Sequence, residues 1–132
     1  RVADDNASRA AELALELRDL CTKYGVQGVV GELPSGGARN ASAMAKMSMA
    51  TAVASTVFAM LNLPVEWTTP MEVKKAMTGL RTASKEEMMQ TVRERHPYFD
   101  FTKTKSVFEH AADAIGAYHA LERSGNLIKI FG

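Results

Sequence analysis

Val26-Gln27-Gly28-Val29-Val30-Gly31-Glu32 is a short apolar run, punctuated by glycine and closed by a carboxylate. A brief apolar run between turn signals reads as a buried strand. An ionised carboxylate placed directly after such residues is costly to bury unless it is paired or binds a cation. Open α/β sheets gather ligands at the carboxyl ends of their strands, so Glu32 is a candidate site residue.

A second stretch answers the first. Glu109-His110-Ala111-Ala112-Asp113-Ala114 opens the last predicted helix and sets His110 and Asp113 one turn apart on one face. The alanines beside Asp113 let that helix approach a sheet closely and leave the carboxylate aimed at it. His110 suits a metal ligand or a general base, because imidazole exchanges a proton near neutrality. Strand-end and helix donors together are how an acidic metal site is built, and a metal-dependent hydrolase is the first expectation. Glu109 has a structural explanation instead: it closes the capping box Ser106-Val107-Phe108-Glu109. It is left out of the site, and His96 and His119, with no partner pattern, are assigned no role.

The rest of the chain is mostly helical. Ala10, Leu13, Leu17, Leu20 and Tyr24 repeat at helical spacing, giving an amphipathic helix over 5–24 that Gly25 stops. After Glu32, Leu33 to Asn40 holds a proline and paired glycines and reads as a mobile loop. Residues 42–62 form a long helix of Ala, Ser, Thr and Met, a composition that suits a core helix or a subunit interface. Residues 64–68 read as a short strand. Thr69-Pro70-Met71-Glu72 then combines an N-cap, a proline at the first helical position and a capping-box glutamate. Ser84-Lys85-Glu86-Glu87 repeats the pattern, with Met88, Met89 and Val92 facing inward and an end near Arg95, ahead of Pro97. The final helix runs from Ser106 to about Arg123. Two strands make a thin sheet for so many helices, and a chain that begins Arg1-Val2 is expected to lack initial strands.

Composition narrows the class. With 132 residues, 46% of them hydrophobic, the chain suits one domain with a real core. A formal charge of +1 announces no nucleic-acid binder overall, yet Lys74, Lys75, Arg81 and Lys85 cluster locally. Near two capped helix starts, such lysines and backbone amides can hold phosphates. The lone Cys21 excludes an internal disulfide and reads as a buried thiol in a reducing, cytoplasmic setting. The longest apolar segment, 41–63, is interrupted by Lys46, serines and threonines, so a soluble protein with no membrane partner is expected. Neither a Walker loop, a CxxC pair, a Gly-x-Ser-x-Gly elbow nor a dinucleotide fingerprint occurs.

Three motifs in this order carry a resemblance: Val30-Gly31-Glu32; Val73-Lys74-Lys75 through Gly79 to Ser84-Lys85; and His110-Ala111-Ala112-Asp113-Ala114. From about Asp5 to Arg123 the chain resembles the RuvC-type Holliday junction resolvases, in a phage or divergent bacterial branch. The resemblance implies an α/β, ribonuclease H-like mixed sheet flanked by helices, with the first strands absent, so that 1–132 is one N-terminally incomplete nuclease domain. It also implies that Glu32, His110 and Asp113 surround two Mg2+ (or Mn2+) ions, together with an Asp from a preceding strand. Lys74 and Lys85 would approach junction phosphates, with Lys75 and Arg81 nearby, and helix 42–62 would pair two subunits as a homodimer on branched DNA. Family members commonly carry an aromatic in the loop after the glutamate; 33–40 has none, so no cleavage-sequence preference is carried over.

The leading expectation is therefore a structure-selective endonuclease that resolves four-way DNA junctions in recombination or repair. Its rivals are a catalytically silent junction-binding or architectural dimer and an α/β interaction module whose acids are incidental.

Overall fold

The computed structural model describes residues 2–33, 40–98 and 105–131, with side chains at 4–33, 40–98, 107–122 and 124–130. The elements run α1 (Val2–Lys23), β1 (Val29–Glu32), α2 (Ala41–Met60), β2 (Val65–Thr68), α3 (Pro70–Thr78), α4 (Lys85–Arg95), α5 (Lys105–Ser124) and α6 (Leu127–Phe131). The expected order is borne out, with a short sixth helix added at the end. The loop read over 34–39 lies outside the described residues.

β1 and β2 pair as a two-stranded sheet. The Val29 amide donates to the Pro64 carbonyl at 2.9 Å and the Leu33 amide to that of Thr68 at 2.8 Å, so partners advance together and the strands are parallel. Two compact units divide the chain, Arg1–Val29 with Gly36–Val65, and Val30–Ser35 with Glu66–Gly132.

In the first unit α1 packs with α2. Asp4 and Asp5 at its start and Lys23 at its end complement the dipole of α1. Gly25, at φ 58°, ends it: the Gly25 amide donates to Thr22 and that of Val26 to Cys21, which is a Schellman arrangement. The far end of the apolar stripe stays open, Leu20 and Tyr24 being exposed, and Cys21 is half-buried rather than buried. α2 is bounded by two asparagines that the composition did not advertise. The Asn40 side chain accepts from the Ala43 amide at 2.8 Å, moving the start to Ala41. Asn62, at φ 57°, ends the helix at Met60, with Leu63 donating to Phe58 and Asn62 to Ala59. Of α2's residues only Phe58 is buried. By length and composition this helix is apolar enough to cross a membrane.

The second unit holds the core, built from Val73 and Met77 of α3, Met88, Met89 and Val92 of α4, and Phe108, Ala112, Ala117 and Ala120 of α5. The predicted capping box forms: Glu72 donates its amide to Thr69 Oγ1 and accepts from the Thr69 amide through Oε2. Glu72 Oε2 also accepts from the buried Thr68 hydroxyl at 2.8 Å, and these hydrogen bonds hold its carboxyl below the usual range. Ser84 caps α4, accepting from Glu87 at 3.1 Å. α5 already includes Lys105, so Ser106 lies in the first turn rather than ahead of it, and its side chain is outside the described set. Gly116 is where α5 meets α3: a Cβ there would overlap Val73 Cγ1, so only glycine permits this approach. α6 is capped from a distance, Glu66 of β2 accepting from the amides of Asn126 at 2.8 Å and Leu127 at 2.6 Å.

Candidate functional site

Three local features deliver side chains to one cavity in the second unit. β1 ends at Glu32. The capped start of α3 carries Pro70, Val73 and Lys74 beside it, and Ser84 starts α4 so that Lys85 occupies its first helical position. The first turns of α5 supply Glu109, His110, Ala112 and Asp113. These residues, with Met88 and Met89, line a cavity of about 230 Å3. Val73, Met88, Met89 and Ala112 are buried and form its apolar part, while Glu32, Lys74 and Glu109 are half-buried and Lys85, His110 and Asp113 are exposed.

The expected trio of Glu32, His110 and Asp113 is thus brought together, and so are Lys74 and Lys85. Lys75 and Arg81 are exposed and stand outside the lining. Glu109, which the capping-box pattern had placed outside the site, also lines the cavity. Its spacing of four from Asp113 was the available signal. His96 and His119, 23 positions apart, also meet: their Nε2 atoms lie 2.7 Å apart, away from the cavity, with Arg95 3.4 Å from His119 Nδ1.

The electrostatics are those of carboxyls raised first of all by burial. Burial, followed by the charge of Asp113, pushes the Glu32 carboxyl up to about 7, and Lys74 pulls it back only in part. Asp113 is also raised, first by burial and then by Glu109, against His110, Lys85 and Lys74, which lower it. Although Asp113 is exposed as a residue, protein packed along one side of its carboxyl is enough to shift it. The charge of Asp113 is thus one of the forces that raise Glu32, second to burial.

Hard carboxylate oxygens are the donors a divalent cation of the Mg2+ or Mn2+ type selects. The donor chemistry fits such an ion at Glu32 and Asp113, with the His110 ring on the same rim. Among the described residues, however, no three His, Cys, Asp or Glu side chains converge closely enough to enclose one. Lys74 and Lys85, which line the same cavity, are suited to neutralise phosphate oxygens.

Among proteins of curated function, none matches the chain. Solved structures do. A Thermus thermophilus RuvC structure aligns at a TM-score of 0.74 and 21% identity, over 91% of this chain and 71% of that one. The T. thermophilus RuvC in complex with Holliday junction substrate aligns at 0.72 and 21% identity, over 86% of this chain and 66% of that one. At this identity the likeness establishes the fold. Family membership comes from the sequence itself: the sequence model described as "Crossover junction endodeoxyribonuclease RuvC" matches residues 2–118, most of the chain's length, and the chain therefore belongs to the RuvC family of Holliday junction resolvases.

Proposed function

We propose that this chain is the nuclease domain of a structure-selective endonuclease that resolves four-way or branched DNA by metal-dependent phosphodiester hydrolysis, in the cytoplasm. The observation that carries the reading is the convergence of a strand-end carboxylate, a helix carboxylate and two lysines in one cavity whose carboxyls are pushed upward. Glu32 and Asp113 would hold Mg2+ or Mn2+, with His110 as a further ligand. Bound there, such an ion supplies charge stabilisation at the scissile phosphate and lowers the pKa of a water.

The chain's own side chains do the rest. Lys74 and Lys85 neutralise backbone phosphate and fix the strand's position without reading its bases. The apolar floor of Val73, Met88 and Met89 strengthens each electrostatic contact made above it. His110, exposed at the rim, is free to reorient as a ligand or to take a proton from an attacking water. The α2 surface, apolar and almost entirely unburied, pairs two copies, so that two cavities act on two strands.

The test is cleavage of a labelled four-way junction beside a linear duplex, by the full-length protein and its Asp113→Asn variant, with Mg2+ or Mn2+. Symmetric nicking of the junction alone is expected, falling by ~100-fold or more in the variant. Equal cutting by both proteins would remove Asp113 from the reaction. A second reading, a catalytically silent junction-binding dimer, is favoured by one observation, the lack of three converging donors among the described residues. It predicts junction binding with no cleavage in either metal.

A further inference from the structure

His96 and His119 meet where the end of α4 lies against α5. His96 is the C-cap of α4, its amide donating to the Val92 carbonyl at 2.9 Å. His119 belongs to α5, and its side chain is 13% exposed. With their Nε2 atoms 2.7 Å apart, one ring must donate a hydrogen and the other accept it.

Arg95 decides which does so. A guanidinium has donors only, and Arg95 Nη2 lies 3.4 Å from His119 Nδ1, so that nitrogen is the acceptor. The hydrogen of the neutral His119 ring is then on Nε2, from which it donates to the bare Nε2 of His96. Arg95 is itself tied to α3, its Nη1 donating to Met77 Sδ at 3.5 Å. A chain of donors thus runs from α4 to α5 and back to α4.

A further proton has no place in this chain. On His96 Nε2 it would set two N–H groups head to head, and on His119 Nδ1 it would face the guanidinium. The charged side chains against the pair come from both helices. Arg95 of α4 opposes a cation on His119, while Glu122 of α5, its Oε2 3.8 Å from the same Nδ1, favours one. The guanidinium is the nearer of the two. Tyr118 presents its ring edge to His119 at 5.8 Å, and α3 contributes Met77, which does not titrate.

Independently of the nuclease reading, we infer that Arg95, His119 and His96 form an acid-labile latch, which ties the end of α4 to α5 while both rings are neutral and opens when either takes a proton. The two helices it joins are those that bring Lys85 and Asp113 to the cavity.

Thermal melting of the full-length protein and its His96→Ala variant between pH 8 and pH 5 tests this. The latch needs neutral rings, so its stabilisation is complete above the ordinary histidine value of about 6.5 and is lost as pH falls further. Glu32 titrates in the same window but is common to both proteins, so the difference between them isolates the latch. At pH 8 wild type is expected to melt about 4 °C above the variant, as for one net hydrogen bond, and the gap should close by pH 5. An equal gap at both pH values, or none at pH 8, would overturn the latch. Should His96→Ala not fold, the imidazole 15N chemical shifts of the wild-type protein decide instead. At pH 8 His119 should carry its hydrogen on Nε2 and His96 on Nδ1, and a hydrogen on His119 Nδ1 would overturn the inference.

Discussion

Glu32 was legible from its neighbours alone, because a carboxylate that closes an apolar strand is out of place unless something uses it. How far its acidity moves was not, since that depends on Asp113 and Lys74, which reach it only through the fold. Its shift has a definite sign in stability. With a folded value of about 7 against an ordinary 4.5, the folded protein takes up this proton more readily than the unfolded chain. The cost of holding ionised Glu32 is therefore fully present above pH 7. It shrinks as pH falls from 7 to 4.5, and is absent below. In the metal-free protein Glu32→Gln should melt higher than wild type at pH 8, with the difference vanishing at pH 4.5. Solvent screening of a half-exposed group limits the gain to on the order of 1 kcal/mol, or about 4 °C. Parallel melting curves across that pH range would show that Glu32 is not strained. The His96–His119 pair marks the opposite limit of legibility: a contact between residues 23 positions apart leaves no spacing pattern to read.

Elements were legible where their ends carry local chemistry. Thr69-Pro70-Met71-Glu72 and Ser84 placed α3 and α4 to the residue, because a cap is settled within four positions. α6 was missed because its cap, Glu66, comes from β2, 60 positions away from Asn126. The approach of α5 to α3 was also invisible, since only the packed structure shows Gly116 under Val73. That contact lets α5 hold Asp113 at the cavity that Lys74 of α3 lines. Gly116→Ala sets two effects against each other. Helix propensity favours alanine by about 1 kcal/mol, whereas overpacking a filled core costs about 1–3 kcal/mol. Val73 is β-branched and 1% exposed, so it has little room to turn aside. Net destabilisation of about 1 kcal/mol is expected in urea unfolding, accompanied by reduced junction cleavage. A variant as stable as wild type would mean that α3 and α5 can part without loss.

At the scale of the whole molecule, the order of helices and strands was readable, because each element announces its own period. What covers the outside of α2 was left between a core helix and a subunit interface by its composition, because the answer lies beyond the chain's own packing. Ala41, Ala45, Ser48, Ala52, Thr56 and Ala59 are exposed at three- and four-residue spacings, a stripe of small side chains flanked by Met44 and Met60. Small residues let two helix backbones come close, and the exposed methionines add adaptable apolar area around the contact. The proposed homodimer through this stripe would account for an apolar helix whose only buried residue is Phe58. It would also supply two cavities related by a two-fold axis, as the proposed symmetric cutting of a four-way junction requires. Ala52→Arg puts a long charged side chain at the middle of the stripe. Sedimentation should then show a monomer where wild type is a dimer, with the dimer dissociation constant raised ~100-fold, equivalent to about 2.8 kcal/mol. The isolated variant should keep its helical circular dichroism and Mn2+ affinity, because neither depends on the outward face of α2, while paired nicking of a junction gives way to single, uncoupled nicks. A dimer undisturbed by arginine at this position would move the subunit contact off α2.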